Sequence, residues 1–360
     1  MPRTLYLHIG AHRTATTSSQ TFLAANRDAL AARGWLYPFG ARRHDAQMTR
    51  LFAGETDTAT LAAEIDAEAD AAAGEIHSVI LSDEDVSLHP DLAPLAGFRA
   101  HFDVRVVYAL RRQDTWLESW FFQNIKWQWN PSLAHASFRE FLRRREEFHW
   151  IDYDRHLGQL EALFGADNVL PLVFESGQMP EGPVAALCDR IGLPRDGLSE
   201  PPHVNTSRSP AMAEFMRHLP LDEAPPRLRN ALIRACETVD RETLGNTGRQ
   251  SERVMGPLQR LRVTRRYAAG NRAVARRYFG RDALFFDRPV YRRGVPLALP
   301  RDPEVLMQTL VAPLLSELMA RKVLARRDDA ERAARRARKK ARRAEKEARQ
   351  KAGAEAGAGG

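Results

Sequence analysis

Short apolar runs alternate with segments of helical period through the first 200 residues. Residues 4–9 (TLYLHI) form an apolar run of strand length, and a polar loop follows from Gly10 to Thr17. Ser18 to Arg33 has helical composition, with Gly34 placed as a C′ residue just past its end. An Ala-rich helical stretch covers 57–74. Further strands are predicted at 77–82, 103–110 and 168–174, and helices at about 113–126, 137–147, 153–164 and 183–191. Strands alternating with helices predict an α/β fold, a parallel sheet covered on both faces. Ligands of such sheets gather at the carboxyl ends of strands, which directs attention to the residues just after 9, 82, 110 and 174. From about Ser209 the pattern becomes all helical, with double-proline breaks at Pro201–Pro202 and Pro225–Pro226. No internal repeat is evident. The expected organisation is an α/β core over 1–200, a helical part of the same domain over 201–320, and a basic Ala/Arg/Lys-rich tail over 321–360, helical or disordered.

Charge changes the picture less than its total suggests. The chain has 54 Lys+Arg against 46 Asp+Glu, a formal net charge of +8. From Arg321 to Gly360 stand 15 basic and 6 acidic residues, which leaves 39 basic against 40 acidic for everything before them. A neutral body argues against a general polyanion binder, and no sequence-specific nucleic-acid partner is expected. In the tail, Ala330, Ala334, Ala337, Ala341, Ala344 and Ala348 form a thin seam that buries little area. A solvated helix or disordered tail, a contact with an anionic membrane or polymer, and self-association remain its three readings. A hydrophobic fraction of 44% with six Trp and 16 Phe excludes global disorder. Cys188 and Cys236 stand far apart, outside any zinc or disulfide spacing, and read as buried small hydrophobes in a reducing cytoplasm. No apolar stretch reaches the roughly 18 residues of a membrane span. A signal peptide has no room before the strand-like run at Thr4. The expected location is therefore cytoplasmic, with a membrane-peripheral position through the tail as the alternative. Oligomeric state is left open.

The densest candidate chemistry is the loop Gly10 to Ser18 (GAHRTATTS). A strand, a polar loop and a helix N-terminus make a ready anion site, and Thr14, Thr16, Thr17, Ser18, Arg13 and His12 add donors. Against the nucleotide pattern G-x-x-x-x-G-K-[ST], Gly10 and Thr17 hold the right spacing. Ala15 replaces the second Gly, however, and Thr16 replaces the Lys. An ATP or GTP hydrolase is not expected without that Lys.

Arg13-Thr14-Ala15-Thr16-Thr17 resembles the Lys-[Ser/Thr/Ala]-Gly-Thr-Thr loop of the sulfotransferases that use 3′-phosphoadenosine 5′-phosphosulfate (PAPS), notably their bacterial branch. Two departures stand out: Arg13 for Lys, and Ala15 for Gly. The family Lys touches the transferring sulfonate and its leaving oxygen, so the resemblance implies that role for Arg13, as a planar fork in place of a point charge. Ala15 matters if the backbone there needs a positive φ. The second family element is an Arg at a strand end and a Ser eight residues on, which clamp the donor's 3′-phosphate. Arg111 and Ser119 hold that spacing. The bland alternative pairs Arg111 and Arg112 with Asp114 and Glu118 on a surface helix. The stretches 151–194, 204–210 and, less sharply, 271–286 are also similar to bacterial members. The aromatic residue that stacks on adenine in the family has no counterpart, because Ser18 takes its place.

The resemblance implies a P-loop-like three-layer α/β/α fold and transfer of a sulfonate from PAPS to a hydroxyl or amine acceptor. A carbohydrate, a lipid and a small metabolite are all open as acceptors. Donor binding falls to His12, Arg13, Thr14, Ala15, Thr16, Thr17, Ser18, Arg111 and Ser119, with no metal expected. Glu84 is the candidate base and Asp83 the reserve. Against that, acids after a strand often only cap a helix. His12 and His89 are weaker candidates, read as solvated side chains. Ser209 before Pro210 reads as an N-cap, and Asn205 and Ser207 precede it. Trp116, Trp120, Phe121 and Phe122 read as core, whereas Trp127 and Trp129 fall past the helix and could line an acceptor site. The competing functions are a kinase-like phosphotransferase on the same fold and a catalytically weakened relative that binds an anionic polymer.

Overall fold

A computed structural model describes residues 2–200, 208–246, 253–291 and 293–321. Five strands form one all-parallel sheet: β1 (Thr4–His8), β2 (Trp35–Leu36), β3 (Ser78–Ser82), β4 (Asp103–Leu110) and β5 (Val169–Val173), in the order β2-β3-β1-β4-β5. Four of these match the sequence expectation within a residue. The fifth, β2, is only two residues long and carries no pattern of its own. Leu5, Tyr6, Leu7 and His8 are all buried. Alternate side chains of a strand point to opposite faces, so both faces of the sheet centre are covered.

The helices of the first part are α1 (Thr16–Ala25), α2 (Arg27–Ala31), α3 (Asp45–Phe52), α4 (Thr58–Asp70), α5 (Gln113–Trp127), α6 (Pro131–Ala134), α7 (Phe138–Arg143), α8 (Tyr153–Phe164) and α9 (Pro183–Ile191). The single helix expected over 18–33 is two. Asn26 breaks it, with its amide held by the carbonyls of Phe22 and Ser199. On one face of the sheet, Tyr6, Ile80 and Val107 pack with Phe22 and Leu23 of α1 and with Leu187, Cys188 and Ile191 of α9. Tyr108 points to the other face, where its ring meets Tyr153 and His156 of α8 and its hydroxyl donates to the Trp150 carbonyl.

The chain divides into two compact units, residues 1–206 with 252–296 and residues 207–251 with 297–360. The first contains the sheet and, returning late in the chain, α12 (Pro257–Phe279). The second contains α10 (Pro210–Arg217), α11 (Pro226–Glu242), α13 (Pro303–Leu306) and a π-helical turn at 307–311. In it Ser209 caps α10 by accepting from Met212 N–H, and its own hydroxyl donates to Asp240. Asn205, Ser207 and the tail from 322 onward lie outside the described residues. Among the described residues no helix is long and apolar enough to cross a membrane.

In α12, Arg260 is fully buried and ion-paired to Asp114 and to Glu118 of α5, the latter at 2.9 Å. Asp114 and Glu118 stand one turn apart on α5, so a single guanidinium reaches both. Met255 N–H also donates to Glu118 at 2.7 Å. This cluster fastens α12 to α5 and sets which cations remain for the sheet's carboxyl edge.

Candidate functional site

β1 lies between β3 and β4, so the chain leaves it in both directions across the sheet. The crevice at its carboxyl end is where such sheets place ligands. Three segments meet there: the loop 10–15 after β1, residues 83–85 after β3, and Arg111 after β4. Hydrogen bonds lay the loop beside β4, from Ala109 N–H to Gly10 O (2.6 Å) and from Ala11 N–H to Ala109 O (3.4 Å).

The loop then crosses onto α5. Trp116 donates its indole N–H to the His12 carbonyl at 2.8 Å, and the Trp120 ring lies 4.9 Å from the His12 ring. Arg13 donates to Ser119 Oγ at 2.7 Å and to Gln123 Oε1 at 3.0 Å. Arg111 donates to the Arg13 carbonyl at 2.7 Å and lies over the Phe174 ring. The sequence-predicted Arg13, 106 residues from Ser119 and 98 from Arg111, therefore forms one cluster with them.

Arg111 does not pair with the acids of α5. Arg112 takes Asp114 (2.7 Å), and Arg260 takes Asp114 and Glu118. Tyr153 fixes the Arg111 backbone through its hydroxyl, donating to the Arg111 carbonyl and accepting its N–H. Burial, and then the neighbouring positive Arg13, push the Arg111 guanidinium down to about 10. Two cations held this close favour an anion between them.

The loop backbone is unusual. Arg13 has φ 65° and Ala15 has φ 60°, both in the left-handed region where a side chain is strained. Ala15 is the N-cap of α1 and supplies no side-chain cap, so the helix's first N–H groups are left without one. Thr14 and Thr16 are buried, Thr17 is exposed and Ser18 half-buried. Thr14 Oγ1 donates to Ala11 O at 2.6 Å, which braces the turn.

Beside the loop lies a network of acids and histidines. Glu84 is buried against Gly10, where an added Cβ would stand 3.2 Å from Glu84 Cβ. Glu84 accepts from Gln20 Nε2 at 2.6 Å and faces Arg43 at 3.6 Å. Asp83 caps the short 3-10 turn 84–88 by accepting from Asp85 N–H, and it also binds Arg43 at 2.7 Å. Burial pushes Asp83 up to about 6, against the pull of Arg43. Asp85 moves the other way: burial would raise it, but His12 and Arg43 hold it down to about 2. His12 is buried and paired to Asp85 at 2.7 Å, which corrects the expectation of a solvated side chain. His89 is partly buried and stacked on Phe52. His8 contacts Ser82 Oγ at 2.8 Å, and burial pushes it down to about 4. His44 accepts from Ser82 N–H through Nδ1 and faces the Pro38 carbonyl through Nε2, so its proton sits on Nε2.

Arg43, Gln20, Gln123 and Tyr153 escaped the sequence reading. Gln123 stands one helical turn past Ser119, a spacing that could have revealed it. Arg43 sits in an irregular loop with no such signal. Trp116 and Trp120 are core as expected; Trp127 is the last residue of α5 rather than past its end, and Trp129 is 54% exposed. Among the described residues no cluster of three His, Cys, Asp or Glu side chains is placed to hold a metal.

No family model matches the chain, and no curated protein matches it. Among solved structures, a sulfotransferase from Alicyclobacillus acidocaldarius aligns with a TM-score of 0.36 and 17% identity, over 68% of this chain and 96% of that one.

Proposed function

We propose that this protein is a sulfotransferase that moves a sulfonate from PAPS to a hydroxyl of a second substrate. The observation that carries this reading is the orientation of Arg111. It leaves the acids of α5, the helix that follows it, to Arg112 and Arg260 and turns to the loop, where it joins Arg13 and Ser119. Arg111 and Ser119 would hold the 3′-phosphate, the first as a fork and the second as a hydroxyl donor. The uncapped N–H groups of α1, with Thr16, Thr17 and Ser18, would receive the 5′-phosphosulfate. Thr14 already spends its proton on Ala11 O and would act as a brace. Arg13 must exchange its bond to Ser119 for a ligand oxygen when the donor arrives.

The donor supplies a sulfonate on a phosphate leaving group. In the transfer a bond forms from the acceptor oxygen to sulfur while the bond from sulfur to the bridging oxygen breaks. The electron pair stays on the 5′-phosphate, where Arg13 would stabilise it. The acceptor's proton would go to Glu84. Glu84 is preferred to Asp83 because Asp83 is already engaged with Arg43 and the turn N–H.

Titration calorimetry without magnesium tests the reading. Adenosine 3′,5′-bisphosphate is expected to bind, and Arg111→Ala to weaken it at least about tenfold, from loss of a charged hydrogen bond of roughly 1.5–3 kcal/mol. Heat with ATP and none with the bisphosphate would instead indicate a phosphotransferase.

A further inference from the structure

Exposed tryptophan is a poor choice for a surface that only needs to be soluble. Trp127 and Trp129 lie parallel, with centroids 5.9 Å apart and planes within 3°, and Trp129 is 54% exposed. The pair is built in, not left over. Gln128 between them is buried in the left-handed conformation (φ 47°), and its N–H closes the end of α5 on Asn124 O at 2.8 Å. A strained non-Gly residue thus aligns the two flanking rings, and the next helix, α6, anchors the chain by burying Leu133 and Ala134. Lys126 places its ammonium 4.8 Å over the Trp127 ring.

The place of the pair matters as much as its shape. The row Trp116, Ser119, Trp120, Gln123, Trp127 runs along α5 at helical spacing. The loop occupies the first four positions: His12 on Trp116 and Trp120, Arg13 on Ser119 and Gln123. Trp127 is the next position, one turn or about 6 Å of helix beyond Gln123, a distance comparable to one sugar ring.

We propose that the Trp127–Trp129 pair is the acceptor platform and that the acceptor is an oligosaccharide. This rests on the sulfotransferase reading for the reaction, not for the binding. A pyranose offers an apolar C–H face to an indole and hydroxyls around its edge, so a stacked ring keeps its nucleophiles free. A small phenol would stack as well, but small ligands bind where walls enclose most of their surface. An indole more than half exposed is an open platform, suited to a chain that gains affinity along its length. Exposed Asn130 and Ser132 supply polar groups beside it.

The test uses the full chain with cellohexaose, chitohexaose, maltohexaose and 2-naphthol as probes. Binding is read by tryptophan fluorescence and calorimetry, with and without adenosine 3′,5′-bisphosphate. At least one hexasaccharide is expected to bind, Trp129→Ala to weaken it about tenfold or more, and Trp129→Phe to keep part of the affinity. Unchanged bisphosphate binding in Trp129→Ala controls for folding. The proposal is overturned if no hexasaccharide binds at millimolar concentration, or if Trp129→Ala binds as the parent does. Tighter binding of 2-naphthol than of every hexasaccharide would also overturn it. Sugar binding that depends on Trp129 in a chain that ignores the bisphosphate would sink the sulfotransferase reading and leave the platform standing. The converse would sink the platform alone.

Discussion

Ala15 is the position where sequence and backbone disagree most openly. Its φ of 60° and ψ of 26° lie in the left-handed region, which brings Cβ close to the following carbonyl and costs a non-Gly residue roughly 1–2 kcal/mol. Glycine removes that strain but gives the unfolded chain more freedom, worth about 0.4–1 kcal/mol. Ala15→Gly is therefore expected to stabilise the first unit by about 0.5–1 kcal/mol, a rise of roughly 1–4 °C in Tm for a unit of this size. Ala15→Val should go the other way by about 2 kcal/mol or more, because a β-branched residue is least tolerated at positive φ. Urea unfolding of the three proteins, followed by circular dichroism, gives the order directly. Stability falling from Gly through Ala to Val supports the argument. A flat series, or Gly less stable than Ala, refutes the claim that the loop holds Ala15 in a strained conformation.

Three other perturbations probe separate layers. Arg260→Met leaves Glu118 buried without its cation and should destabilise by about 3–5 kcal/mol, while replacing Arg260, Asp114 and Glu118 together with apolar residues should cost far less; equal losses in urea melts would contradict this. Burial holds His8 and His44 down to about 4 and His156 to about 3, all below their unfolded value near 6.5, so the unfolded chain takes up protons first. Stability should fall as pH drops from 6.5 toward 4, by up to about 1.4 kcal/mol per pH unit for each histidine. Asp83, raised to about 6, opposes them between about pH 4 and 6, and a stability profile flat over this range would refute the balance. Gly10→Ala puts a methyl group 3.2 Å from Glu84 Cβ at a φ of 108°, so both strain and a displaced Glu84 are expected. Reduced stability with a larger loss in kcat than in bisphosphate affinity is the outcome to look for.

The sheet was legible because buried parallel strands advertise themselves as uninterrupted apolar runs, and 103–110 was delimited to the residue. Trp35–Leu36 was not, because two residues cannot display a period. The break at Asn26 was hidden for a related reason. The flanking sequence is helical on both sides, and the amide that interrupts it is satisfied by the Ser199 carbonyl, 173 positions away. The same distance effect governs the site. Gly10 to Ser18 and Arg111 to Ser119 were visible as local spacings. Arg43 and Gln20 reach Glu84 through tertiary contacts that no local pattern records.

Arg111 and Arg112 show most sharply where local reading stops. Side by side in sequence, before Asp114 and Glu118, they invite the same ion-pair account. They follow the last residue of β4, where the chain turns into α5, and their side chains take different partners. Arg260, which enters from a helix more than 140 residues later, takes both Asp114 and Glu118. With those acids satisfied and its backbone held at both N–H and carbonyl by Tyr153, Arg111 has the Arg13 carbonyl as its anchor. The buried triad thus serves the site without touching it. With Arg112 counted, two guanidiniums match its two carboxylates, which leaves Arg13 and Arg111 as cations that an anionic ligand can complete.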